Sequence, residues 1–105
     1  MKTFILKNGA TKIIKFECEM DESETRALKF ALEEPGLCSE ILIDLTGISF
    51  VSSGFVGILV GIKQNQPLVY EKIKLLNPGD LVREMLALTP LKQMYEVQKI
   101  YPTVW

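Results

Sequence analysis

Residues 41–59 read ILIDLTGISFVSSGFVGIL. Ile41 to Leu45 is apolar at successive positions, the pattern of a strand buried on both faces in the middle of a sheet. Asp44 interrupts it near its end, where a loop can solvate a carboxylate, and Thr46-Gly47 begins that loop. Ser52 and Ser53 then precede a run of apolar residues, Phe55, Val56, Ile58, Leu59, Val60 and Ile62. The pattern predicts a helix from about residue 53 to residue 64, closed by Gln64-Asn65-Gln66-Pro67. A serine at a helix start accepts a hydrogen bond from an otherwise unpaired backbone N–H. The pair therefore reads as a helix cap, as a place where a group is attached, or as both, because one serine can cap while the other is modified. Gly54, Gly57 and Gly61 line one side of this helix. Each costs up to about 1 kcal/mol of helix propensity relative to alanine, which predicts tight packing of another element against them.

Working outward, Ile73 to Leu76 predicts another strand. Asn77-Pro78-Gly79-Asp80 predicts a helix start, with Asn77 as N-cap, Pro78 at the first helical position and Asp80 near the positive end of the helix dipole. Leu81, Val82, Met85 and Leu86 are expected to face inward, with Pro90 as the stop, a short turn at 91–94 and an extended segment from Tyr95. Toward the N-terminus, Phe4 to Lys7 and Lys12 to Glu19 predict two strands joined by an Asn8-Gly9 hairpin turn. Ile14, Phe16 and Cys18 fall on one face, and Lys15, Glu17 and Glu19 on the other, which predicts one buried face and one wet face. Asp21, with Glu24 three residues on, predicts a capped helix whose stripe is Leu28, Ala31 and Leu32, widened by Ala27 and Phe30 and ended by Glu33-Glu34-Pro35-Gly36. The order β-β-α-β-α-β-α-β predicts an α/β fold, a single mixed β-sheet with helices packed mainly on one face, as one domain over residues 1–105.

Composition narrows the chemistry. The 105 residues carry a formal charge of −1 with both signs interspersed, so no basic surface for nucleic acid is expected. There is no histidine, which removes Ser-His-Asp and Cys-His catalysis and the commonest metal ligand. Cys18 and Cys38 form no CxxC pair, and neither GxxxxGK[ST] nor GxGxxG is present. No catalytic residue, metal site or cofactor is therefore expected, and the chain reads as a non-enzyme. The apolar run Ile48–Ile62 is shorter than the roughly 20 residues that cross a bilayer, and residues 1–9 lack the pattern of a secretory leader. A cytoplasmic location with reduced cysteines is the expectation.

Taken together, Asp44-Leu45, Ser52-Ser53-Gly54-Phe55-Val56-Gly57, Asn77-Pro78 and Val82-Arg83-Glu84-Met85-Leu86-Ala87-Leu88-Thr89 resemble, in order and spacing, the STAS domain, the family of the anti-sigma-factor antagonists. The resemblance is close over residues 40–97 and looser before them. It implies a regulatory protein-binding module in a partner-switching pathway. The partner it implies is a kinase-type anti-sigma factor or related regulator, with a PP2C-type phosphatase as a further partner. It also implies phosphorylation of the first serine, Ser52, with Ser53 as the alternative. The partner surface carried over is Asp44, Thr46, Ser49, Val51, Ser52, Ser53, Gly54 and Phe55. The family's acidic residue before the serines is Val51 here, which favours a second reading, an unphosphorylated scaffold or subunit of a lipid-transport or stressosome assembly. The motif fixes no oligomeric state. The aromatic tail, Tyr95, Tyr101 and Trp105, is expected either to fold onto the core or to meet a partner.

Overall fold

The structure, a computed structural model, describes residues 1–5, 10–16, 19–33, 36 and 38–99. Five strands form one sheet in sequence order: β1 (Lys2–Ile5), β2 (Thr11–Lys15), β3 (Glu40–Asp44), β4 (Ile73–Leu76) and β5 (Glu96–Gln98). β1 is antiparallel to β2, and all later neighbours are parallel. The helices are α1 (Glu22–Glu33), α2 (Ser53–Asn65), α3 (Pro67–Tyr70), α4 (Asp80–Ala87) and α5 (Leu91–Met94). Because the parallel strands follow one another in one direction across the sheet, crossovers of the usual right-handed sense all fall on the same face. The packing agrees. Ile14, Ile41, Ile43 and Leu75 share one apolar cluster with Leu28, Leu32, Phe55, Leu59, Leu86 and Leu91 from the helices. The predicted sheet with helices on one face is the observed fold.

Several local expectations are corrected. The expected wet face of β2 is covered at Ile13, which is buried with Leu42, Leu76 and Phe4 in a second cluster, while Lys15 on the same face stays partly exposed. β2 lies between β1 and β3, whose Phe4 and Leu42 flank Ile13 on that face. Phe30 does not widen the α1 stripe; it is 75% exposed, because α1 buries only Glu24, Leu28 and Leu32 at four-residue spacing. Leu81 is likewise exposed, whereas Val82 and Leu86 are buried. The α4 start moves: Asn77 adopts a left-handed conformation with φ 54°, and Gly79 is the N-cap. The Asn77 N–H instead donates to the Gln98 carbonyl and ties β4 to β5. The one-turn helices α3 and α5 replace a plain connection and the predicted short turn.

Buried Tyr95 settles part of the tail expectation. Its hydroxyl donates to the Leu59 carbonyl of α2, its ring meets Tyr70 edge-on at 5.3 Å, and Tyr70 Oη donates to the Met94 carbonyl at 2.9 Å. Burial pushes the Tyr95 phenol above its ordinary range. Cys38 is half-buried. The Asn8-Gly9 turn, Cys18, Tyr101 and Trp105 lie outside the described residues. Among the described residues no helix is long and apolar enough to cross a membrane.

Candidate functional site

Parallel strands bring their C-terminal loops to one end of the sheet, the end at which open α/β sheets usually meet their ligands. Phe16, Leu45 and Asn77, the residues that follow β2, β3 and β4, all lie there. The middle segment is fixed from its first residue. Asp44 is fully buried, and its Oδ1 accepts from the Thr46 N–H at 2.9 Å and the Thr46 hydroxyl at 2.6 Å. Lys15 Nζ stands 4.0 Å from Oδ2. Asp44 is thus held by protein groups, where loop solvation was expected. The Ile48 N–H closes a turn onto the Leu45 carbonyl, and Gly47 supplies the left-handed residue, φ 81°, that this turn needs.

The loop then crosses to the segment before α1. Ser49 gives its N–H to both oxygens of Glu19, at 2.8 and 3.2 Å, and its hydroxyl to Oε2 at 2.7 Å. Val51 turns inward and is only 7% exposed, packed in the main core. Ser52 is the N-cap of α2: its backbone is extended and its Oγ accepts from the Phe55 N–H at 3.1 Å. The same Oγ lies 3.4 Å from Thr25 Oγ1. Thr25 gives its own proton to the Asp21 carbonyl at 2.9 Å, so the serine is the donor in that contact. Asp21 caps α1 by accepting the Glu24 N–H at 2.8 Å, one half of the expected capping box. The Glu24 carboxylate turns elsewhere, to the Met1 ammonium at 2.8 Å.

The residues named from sequence therefore divide in two. Thr46, Ser49, Ser53 and Gly54 are exposed and Ser52 is half-buried, all on one loop and helix start. Asp44, Val51 and Phe55 are buried beneath them, Val51 reaching only the wall of a hollow. They anchor the loop from below, Val51 and Phe55 as core and Asp44 as the clamp on Thr46. Glu19 and Thr25 were missed. They meet Ser49 and Ser52 across 30 and 27 residues of chain, and no local pattern announces such pairings.

Two shallow hollows flank the serines. One is lined by Met20, Asp21, Glu22, Thr25 and Phe50, the other by Val51, Val56, Met85, Leu88 and Thr89. Among the described residues neither is lined by a lysine or arginine. Phe50 is 43% exposed and Leu88 is 88% exposed, so large apolar side chains stand beside both hollows. The glycine stripe is mostly unused within this chain. Gly54 does pack, since a Cβ there would meet Thr25 Cγ2 at 3.0 Å, but nothing lies within 4 Å of where a Cβ on Gly57 would be. The expected packing of another element holds at Gly54 and fails at Gly57, and a Cβ on Gly61 would meet only Asn65 of its own helix, at 3.5 Å. No group of His, Cys, Asp and Glu suited to a metal ion occurs among the described residues.

Comparison with known proteins completes the picture. The sequence profile of the STAS domain matches residues 7–105. No curated protein sequence matches significantly. The solution structure of the protein TM1081 resembles this fold with a TM-score of 0.70 at 18% identity, covering 90% of this chain and 77% of that one. The crystal structure of TM1081 from Thermotoga maritima, classed among the anti-sigma factor antagonists, gives 0.69 at 18% identity over 94% and 86% of the two chains. A STAS domain protein of Planctomyces limnophilus, described as an anti-sigma-factor antagonist, gives 0.67 at 18% identity over 95% and 90%. These structures support the fold, and the profile spans nearly the whole sequence: the chain belongs to the STAS domain family.

Proposed function

We propose that this chain is a regulatory protein-binding module of the anti-sigma-factor-antagonist kind, and that its partner contacts the loop 46–50 and the start of α2. The observation that carries this reading is the serine pair itself. Ser52 and Ser53 stand at the open end of the sheet on a helix whose buried residues, Phe55, Leu59 and Ile62, are locked in the core. A group added there changes the surface without requiring the helix to move. A phosphoserine adds about −1.5 to −2 charges at pH 7. Helix N–H groups tolerate that charge, whereas a partner fitted to the neutral hydroxyl does not. The exposed Phe50 and Leu88 give such a partner apolar contacts on either side of the serines.

In this reading the partner is a kinase-type anti-sigma factor that phosphorylates the site, and a PP2C-type phosphatase resets it. Incubation with such a kinase and ATP, followed by phosphosite mapping, tests the modification. One phosphate at Ser52, lost in Ser52→Ala, is expected. Absence of phosphate with a kinase active on its own antagonist would remove the switch. One observation favours the second reading, an unmodified scaffold in a larger assembly. Asp21 and Glu22 line the hollow beside Ser52, no basic residue among the described residues does, and the buried Val51 supplies no acidic group before the serines.

A further inference from the structure

β5 is the edge of the sheet beyond β4, and α4 and α5 lie beside it. Between them is a hollow of about 390 Å³ lined by Arg83, Leu86, Lys92, Tyr95, Glu96 and Val97. Its base is apolar: Leu86 and Tyr95 are buried and Val97 is half-buried. Two cations stand exposed at its rim. Neither Arg83 nor Lys92 has an ion-pair partner among the described residues. The Glu96 carboxylate does not neutralise them. Glu96 is in register with Lys74, on the sheet face opposite Val97, and there it meets Lys74 Nζ at 3.6 Å and Gln98 Nε2 at 3.0 Å. The Gln98 carbonyl accepts from Asn77, so Gln98 and Glu96 turn their backbone groups toward β4. Val97, between them, turns its N–H outward at the sheet edge.

An apolar floor with a few convergent polar donors is the usual make-up of a small-molecule site. Here every unengaged charged side chain is positive, and a guanidinium is suited to a carboxylate through two parallel N–H donors. We propose that this hollow binds a small organic anion, an apolar body bearing one carboxylate, held by Arg83 and Lys92 with Leu86, Tyr95 and Val97 beneath the body. The site is separate from the serine loop, because Met85 of α4 and its C-cap Leu88 line the hollow beside Ser53, whereas Arg83 and Leu86 of α4 line this one.

The test is an amide-resolved NMR titration of the intact protein with 3-phenylpropanoate, its neutral amide 3-phenylpropanamide, and inorganic phosphate. Saturable shifts at residues 83, 86, 92 and 97 are expected with 3-phenylpropanoate, with a dissociation constant on the order of 1 mM for a ligand of this size. The neutral amide and phosphate should each bind at least about tenfold more weakly, because each lacks one of the two recognised parts. The double variant Arg83→Gln, Lys92→Gln should lose at least about tenfold in affinity while melting as the wild type does, since both side chains are exposed. Shifts that fail to saturate, equal binding of the acid and its amide, equal binding of phosphate, or undiminished binding by the double variant would each overturn the proposal.

Discussion

Val51→Asp places the family's acidic residue before the serines, and the structure says it should harm this protein. Val51 is 7% exposed and belongs to the main apolar cluster. Removing a buried valine side chain forfeits about 1.5–2 kcal/mol of apolar burial. A carboxylate in the same position adds about 1–3 kcal/mol, because no lysine or arginine among the described residues lines the hollow at that point. The sum, about 2.5–5 kcal/mol, is a large share of the roughly 5–15 kcal/mol that holds a domain together, and lowers Tm by about 10 °C or more. Urea unfolding of Val51→Asp and Val51→Ala separates the two parts: the alanine variant reports the lost burial and the difference reports the charge. The sign with pH is a second check. Burial raises the pKa of the introduced carboxyl, so the folded state takes up its proton first and the deficit shrinks as pH falls. A loss within about 0.5 kcal/mol, the range of ordinary surface changes, with no pH dependence, would show that residue 51 reaches solvent and that the inward turn of the loop is wrong.

Ser52→Ala removes the cap on α2 and should cost about 1 kcal/mol in urea unfolding. Ser53→Ala should cost little, since Ser53 is exposed and not the cap. Gly57→Ala should stabilise by about 0.5–1 kcal/mol, because the helix gains propensity and the new methyl meets nothing. Gly54→Ala should lose that gain to the close Thr25 methyl; equal stabilisation by both changes would contradict the packing described for α1 against α2. Stability should fall as pH rises above about 10, because the Tyr95 phenol is raised by burial and the Lys74 ammonium is raised by its hydrogen bond to Glu40. Each group holds its proton more tightly when folded, so its contribution is complete below the unfolded pKa and lost above it. Urea midpoints across the alkaline range should decline for the wild type and decline less for Tyr95→Phe.

The architecture was legible because it rests on local patterns. The doubly apolar Ile41–Leu45, the serine cap before Phe55 and the order of strands and helices are short-range signals, and β3, α2 and the one-sided helix layer follow from them. The misses share a cause: each depends on what lies across the fold. Ile13 is buried because Leu42 and Leu76 stand beside it, and Asn77 leaves the helix because Gln98 takes its N–H. At the site, the loop and its serines could be placed from sequence, but not which of its residues point inward. The apolar character of Val51 and Phe55 was the available clue. The grip of Glu19 on Ser49 joins two segments that are individually unremarkable polar loops.

The central claim is that a partner reads the neutral surface at the start of α2. Titration calorimetry of wild type, Ser52→Ala and Ser52→Asp against a kinase-type anti-sigma factor that binds the wild type tests it most directly, with melting curves run alongside. Aspartate is itself a good N-cap and is favoured at a helix start, so the melting of Ser52→Asp should stay close to that of the wild type. Its binding should weaken by about two orders of magnitude or more, a few kcal/mol for burying an unpaired charge, while Ser52→Ala should bind at least as tightly as the wild type. Equal affinity of Ser52→Asp and wild type, with both folded, would contradict the claim and move the partner surface away from the serines.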